Sequence, residues 1–173
     1  HCIVQINETH FIATGGTIDY AVGLDTQKTY FYDTQTEKWT AGPDLNGNRT
    51  QHGCAKVILD DKTVVIVTGG LRGVQYTYKS VEYLDLSKSP ARWVIGKSLP
   101  VGFVGHTMVS VSGTVYITGL ATPKNSSNIF ELKCPDNSFM SCVFMESQVQ
   151  MKIPRRYHIA LPISSKLVKR LCQ

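Results

Sequence analysis

Two glycine pairs, Gly15-Gly16 and Gly69-Gly70, recur at a step of 54 residues, and Trp39 and Trp93 recur at the same step. Each pair closes an apolar run, Phe11-Ile12-Ala13-Thr14 in one case and Val64-Val65-Ile66-Val67-Thr68 in the other. A degenerate third copy reads Val115-Tyr116-Ile117-Thr118-Gly119, with Leu120 in place of the second glycine. His1, His52, His106 and His158 mark the same period, each ahead of a small or apolar run. Arg49 stands three residues before His52 and Arg155 three before His158, whereas Phe103 holds that position before His106. A fixed period of about 50 residues means one supersecondary unit repeated along the chain, each copy burying its apolar face against the next.

Within one unit the turn residues delimit four short strands. The first is led by the Arg/His mark, as in Cys54-Ala55-Lys56-Val57-Ile58-Leu59, and ends at a tight turn, Asp60-Asp61-Lys62 or Ser112-Gly113. The second ends in Thr-Gly-Gly and is apolar at nearly every position, as expected of a strand covered on both faces. A loop leads to a third, Tyr-rich strand, Tyr30-Phe31-Tyr32-Asp33 or Val81-Glu82-Tyr83-Leu84-Asp85. The fourth carries the Trp and leaves through a proline, at Pro43, Pro100 or Pro154. The double glycine fits a sharp bend close to other backbone, where a Cβ would obstruct. Tyr and Trp suit contacts between sheets, and the Trp39 strand is expected outermost. The chain has 173 residues, 42% of them hydrophobic and 18% charged, with no long helix-forming segment, so the composition predicts an all-β protein with a core.

The conjunction of Gly-Gly, Tyr, Trp and an Arg-x-x-His start resembles the kelch repeat. The resemblance covers essentially the whole chain and weakens in the third unit, where Phe144 stands for the Trp. It implies a kelch-type β-propeller segment of four-stranded antiparallel blades, with blades at 1–47, 48–101 and 102–154 (degenerate) and a half blade at 155–173. Three and a half blades do not close a ring, which takes typically 4–8. With His1 rather than Met at the start, the sequence reads as a processed chain or a piece of a longer one. An open ring leaves edges and sheet faces uncovered, so the segment alone is expected to fold only marginally.

Of five cysteines, Cys134 and Cys142 bracket the turn Pro135-Asp136-Asn137-Ser138 and form a candidate disulfide. Cys2 and Cys54 lie on first strands and read as small buried hydrophobes. No Cys-x-x-Cys pair supports a metal or dithiol site. Asn7, Asn48 and Asn125 stand in Asn-x-Ser/Thr sequons within predicted loops and are glycosylation candidates. With the hairpin disulfide they favour an extracellular, secreted protein over a cytoplasmic one. No run of 18 apolar residues is present, so no membrane span is expected.

A search for chemistry returns no catalytic, cofactor or metal constellation. The histidines recur too regularly to converge on a metal, and read as structural, each tying its unit through a ring hydrogen bond. Gly69-Gly70-Leu71-Arg72-Gly73 lacks the Gly-Lys-Ser/Thr ending of a phosphate loop. Asp60-Asp61 is a turn rather than a carboxylate pair, and no nucleophile elbow occurs. The net charge of +5 gathers only at Lys152, Arg155 and Arg156 and at Lys166, Lys169 and Arg170, thin ground for nucleic-acid binding. The variable loops after the glycine marks, Thr17 to Lys28, Leu71 to Lys79 and Leu120 to Ser127, remain. Arg72, Tyr76 and Tyr78 are the candidate partner-binding residues, being of the types that dominate interface hot spots. The resemblance thus points to a non-enzymatic scaffold that binds a protein partner through these loops. The alternative is a fragment of a kelch-propeller enzyme, galactose-oxidase-like or sugar-acting, whose site is completed by blades not present. A decayed fragment without activity is a third reading, suggested by the eroded third unit.

Overall fold

A computed structural model describes residues 1–19, 21–73, 76–119, 121–122, 127–136, 138–155 and 157–160. Asn125, most of the Leu120–Ser127 loop, most of the half unit at 155–173 and the basic residues Arg156, Lys166, Lys169 and Arg170 lie outside the described residues.

The described chain is all strand and turn. β1 (Cys2–Gln5), β2 (His10–Asp19), β3 (Leu24–Asp33) and β4 (Lys38–Ala41) form an antiparallel sheet in sequential order. β5 (Gly53–Leu59) and β6 (Lys62–Thr68) follow, then a small hairpin of β7 (Leu71–Arg72) and β8 (Tyr76–Thr77). β9 (Val81–Asp85) and β10 (Trp93–Ile95) complete a second sheet, ordered β5-β6-β9-β10. After β11 (Gly102–Phe103) come β12 (Thr107–Val111) and β13 (Thr114–Thr118). β14 (Ala121–Thr122) pairs back onto β11, and β15 (Asn128–Lys133) and β16 (Val143–Gln150) finish the third sheet, ordered β12-β13-β15-β16. All three four-stranded sheets are antiparallel meanders. Their first strands adjoin, β1 beside β5 and β5 beside β12.

Turn chemistry sets the registers. Asp60 and Asp61 both take left-handed φ, as do Ser112 and Gly113, which gives the two-residue turn whose twist matches a hairpin. Leu59↔Lys62 and Val111↔Thr114 close those turns. The apolar second strand behaves as its composition demands: Val64, Val65, Ile66 and Val67 are all buried. Its two faces feed two cores. Val64 and Ile66 join Tyr83, Phe103, Ile117 and Phe130 between the second and third sheets. Val65 and Val67 join Ile12, Leu84 and Trp93 between the first and second. Alternation along one strand thus glues three sheets in series.

The indoles differ in role. Trp39 on β4 is 53% exposed and Trp93 on β10 is 5% exposed. Trp93 reaches the first sheet, its Nε1 donating to the carbonyl of Pro43 at 3.0 Å and lying 3.3 Å from Thr29 Oγ1. Phe144 on β16 is buried in the third sheet's core.

The histidines link consecutive sheets. His52 Nε2 meets Thr14 Oγ1 at 2.9 Å, His106 Nε2 meets Thr68 Oγ1 at 2.8 Å, and His158 Nε2 meets Thr118 Oγ1 at 2.8 Å. In each case the threonine belongs to the preceding unit's Thr-Gly mark. The glycine has a concrete reason: a Cβ at Gly15 would lie 2.8 Å from His52 Cε1, and one at Gly69 3.0 Å from His106 Cε1. Both glycines also take left-handed φ. Burial pushes all three imidazoles below their ordinary value, His106 to about 3.

Two sequence expectations need correction. Cys2 and Cys54 are not separate buried thiols but a disulfide. The adjacency of β1 and β5 brings the two together, with Cα atoms 5.9 Å apart. The Cys134–Cys142 bridge forms as expected, across the β15–β16 turn. The stretch Thr17 to Lys28 is not an open loop either. β2 and β3 continue through it as a paired arm, Thr17↔Asp25 and Asp19↔Leu24, because β-branched Thr17 and Ile18 favour the ladder and Gly23 supplies a left-handed turn residue.

Candidate partner-binding cleft

The end of the first two sheets that carries the glycine pairs is built on one buried side chain. Arg49 precedes β5, and its side chain is 1% exposed. Its NH1 donates to the Gly69 carbonyl at 3.1 Å and its NH2 to Ser80 Oγ at 3.0 Å. NH2 also pairs with Glu82 Oε1 on β9. The other carboxylate oxygen, Oε2, accepts from the backbone and side-chain amides of Asn46 at 2.9 and 2.8 Å. Burial pulls the Arg49 guanidinium below its ordinary value, against the charge of Glu82. A buried charge of this kind is tolerated only because its partner and hydrogen bonds are in place.

Above Arg49 lies an aromatic pair. The Tyr78 ring sits over the guanidinium, 4.6 Å from Cζ to ring centroid, in cation–π geometry. Tyr76 meets Tyr78 edge-to-face with centroids 5.2 Å apart. Gly47 leaves room for the Tyr78 hydroxyl, since a Cβ there would come within 2.8 Å of it. The β7–β8 hairpin that carries the tyrosines is tied to the first sheet through Asp25. This carboxylate accepts from the Gly73 N–H at 2.8 Å and from Thr17 Oγ1 at 3.0 Å. Thr50 and Leu71 bridge the hairpin to the segment ahead of β5.

Together these elements enclose an open cleft of about 600 Å³, lined by Leu24, Asp25, Asn48, Arg72, Tyr76 and Tyr78 among others. The three residues singled out in the sequence line one cavity, and sequon residue Asn48 lies in it with them. Tyr76 is 62% exposed and Arg72 is exposed, while Tyr78 is partly covered. Among the described residues the Arg72 guanidinium makes no ion pair or hydrogen bond. The cleft therefore offers a cation, two phenol rings and a carboxamide on a rigid base. This suits recognition by stacking and hydrogen bonding. Among the described residues no group of three His, Cys, Asp or Glu side chains could hold a metal ion. No helix among them is long and apolar enough to cross a membrane.

Sequence reasoning missed Asp25 as the tether, and Arg49 and Glu82 as the foundation. Arg49 was visible only as a repeat mark, and nothing local in the sequence pairs it with a residue 33 positions away.

No family model matches the chain, and no curated protein matches it. Among solved structures it is similar to one described as the structure of YjhT, with 23% sequence identity and a TM-score of 0.51. The match covers 69% of this chain and 33% of that one, so the chain spans well under two thirds of that protein's length. At this identity the likeness speaks to the fold alone.

Proposed function

We propose that the chain is a segment of a kelch-type β-propeller whose three sheets act as adjacent blades. We further propose that it serves as a non-enzymatic scaffold binding a protein partner through the cleft at Arg72, Tyr76 and Tyr78. The blade reading is supported by three sequential meanders with adjoining first strands and by the histidine–threonine link repeated between them. The observation that carries the binding reading is the convergence of Arg72, Tyr76 and Tyr78 on one cleft. Exposed Arg and Tyr on a rigid base, at the end of strands rather than along them, match the make-up of interface hot spots. An extracellular setting is supported by the two disulfides, which persist where the medium is oxidising.

The test is a photo-crosslinking side chain placed at position 72 or 76 of the intact protein, presented to extracellular fluid from the source tissue. One predominant protein adduct is expected. Combined Arg72→Ala and Tyr76→Ala should weaken binding of that partner about thirtyfold, equivalent to about 2 kcal/mol, with an unchanged melting temperature. Stoichiometric copper in the intact protein, or full binding by the double variant, would overturn the reading.

A further inference from the structure

The cleft contains a carboxamide that chemistry can use. Asn48 begins the sequon Asn48-Arg49-Thr50, is partly buried, and lines the same cavity as Arg72, Tyr76 and Tyr78. Among the described residues no hydrogen bond engages its side chain, whereas the side-chain amide of Asn46, two residues earlier, donates to Glu82 and to the Trp93 carbonyl. Its backbone is held from the C-terminal side. The following residue, Arg49, donates its N–H to the Thr26 carbonyl at 3.2 Å and accepts from the Gly16 N–H at 2.8 Å. The middle residue of the sequon points into the core, which turns Asn48 and Thr50 the other way. Thr50 lines a second, smaller recess that shares Gly23, Asp25 and Gly73 with the cleft, so the groove runs on past the sequon.

We propose that Asn48 carries an N-linked glycan whose innermost sugar lies in this cleft against Tyr76, so that occupancy of Asn48 closes the surface to a protein partner. The closing effect rests on the reading of Arg72, Tyr76 and Tyr78 as the partner surface; the seat for the sugar does not. In the modification a lipid-diphosphate-linked oligosaccharide is the donor. Its anomeric C1–O bond breaks, the bond from Asn48 Nδ2 to C1 forms, and the proton lost by the amide ends on the released lipid diphosphate. The fit follows from the lining. A cleft of about 600 Å³ is within the range that encloses small organic ligands. The C–H face of a pyranose suits the electron-rich face of exposed Tyr76, and the Arg72 guanidinium supplies donors for hydroxyl or acetamido oxygens. Asn7 provides the internal control. It sits in the β1–β2 turn, its Oδ1 accepting from the His10 N–H at 2.8 Å, and β2 runs from there to the cleft end. Six residues of strand, from His10 to the Gly16 that meets Arg49, put roughly 20 Å between the two sites.

The test uses the intact protein secreted from a glycosylating eukaryotic cell. Peptide mass mapping before and after peptide-N-glycosidase reads occupancy at Asn48. Hydrogen exchange of the 71–78 hairpin is then compared between the glycosylated protein, the enzyme-treated protein, Asn48→Gln and Asn7→Gln. Occupancy at Asn48 and at least severalfold slower exchange of the hairpin when it is occupied are expected, with Asn7→Gln behaving as wild type. An unmodified Asn48, or hairpin exchange indifferent to its glycan, would overturn the proposal. Partner capture is measured in parallel and should rise at least tenfold in Asn48→Gln. If Asn48→Gln captures no partner while the hairpin of the glycosylated wild type is protected, the partner reading fails and the sugar seat stands.

Discussion

In the second unit the residue whose carbonyl accepts the Gly16 N–H is Arg49; in the third unit the residue whose carbonyl accepts the Gly70 N–H is Phe103. Strand registers extend the equivalence. Thr68 faces Val81 and Thr118 faces Ile129, so Glu82 in the second sheet corresponds to Phe130 in the third. The ion pair Arg49–Glu82 and the edge-to-face pair Phe103–Phe130, with centroids 5.1 Å apart, thus fill the same place in two copies of one unit. The two units differ at both positions. A mixed pair would leave one buried charge without its partner. The second unit's buried charge also underlies the cleft. The guanidinium that pairs with Glu82 is the surface on which Tyr78 rests. A phenylalanine there would pack equally well and offer no cation to hold the ring.

The sharpest way to break this comparison is to leave one charge unpaired. Glu82→Ala should cost about 3–5 kcal/mol by denaturant unfolding. Importing the third sheet's solution, Arg49→Phe with Glu82→Phe, should recover most of that loss but release Tyr78. A double variant as unstable as Glu82→Ala would show that the two pairs are not equivalent.

Next in size are the disulfides, one joining the first sheet to the second and one confined to the third. Loop-closure entropy assigns about 4 kcal/mol to Cys2–Cys54, separated by 52 residues, and about 2.5 kcal/mol to Cys134–Cys142, separated by 8. Serine pairs at each site, compared by thermal unfolding, should rank in that order. The reverse ranking would show that cross-linking within the third sheet matters more than stapling the first two.

The histidine links respond to acid. His106 is held neutral, its folded value about 3 against an ordinary 6.5, so below pH 6.5 the unfolded chain binds a proton that the native one does not. Its contribution is complete above pH 6.5 and is lost as pH falls toward 3. At pH 5 the loss is about 2 kcal/mol, and buried His52 adds in the same direction. His106→Gln should flatten the stability–pH profile between pH 7 and 5; an unchanged slope would remove His106 from the account. The smallest effect belongs to Trp39. Exposed on the outer strand, it should change stability by no more than about 0.5 kcal/mol on replacement by alanine, unlike its bridging counterpart Trp93. A larger loss would mean that the indole of the first sheet also serves as a bridge.

Much of this was legible because the repeat's marks are backbone requirements. Asp60-Asp61 and Ser112-Gly113 announce their turns, and the glycine after each threonine announces a close approach. What stayed hidden is long-range pairing between side chains. Cys2 follows its repeat histidine by one residue and Cys54 follows its own by two, which places them on neighbouring first strands. The signal existed, but only once those strands were known to adjoin. The joint absence of Arg and Glu from these positions of the third unit is a similar clue, readable only with the register in hand. The cleft's tether, Asp25, lies in a stretch whose turn residues suggested a loop, although its β-branched neighbours continue the ladder.

Because each histidine is lodged in the unit before it, the unit that holds itself shut is out of phase with the sheet. A piece cut at the sheet boundary, ending ahead of Arg49, would lack both the imidazole that fills the space over Gly15 and the sulfur that joins Cys2. A piece carried on through the β5 strand would keep its own latch and its own clasp. Anyone excising, swapping or duplicating these units should therefore place the seams at the far turn of β5, at Asp60-Asp61, and not between the sheets.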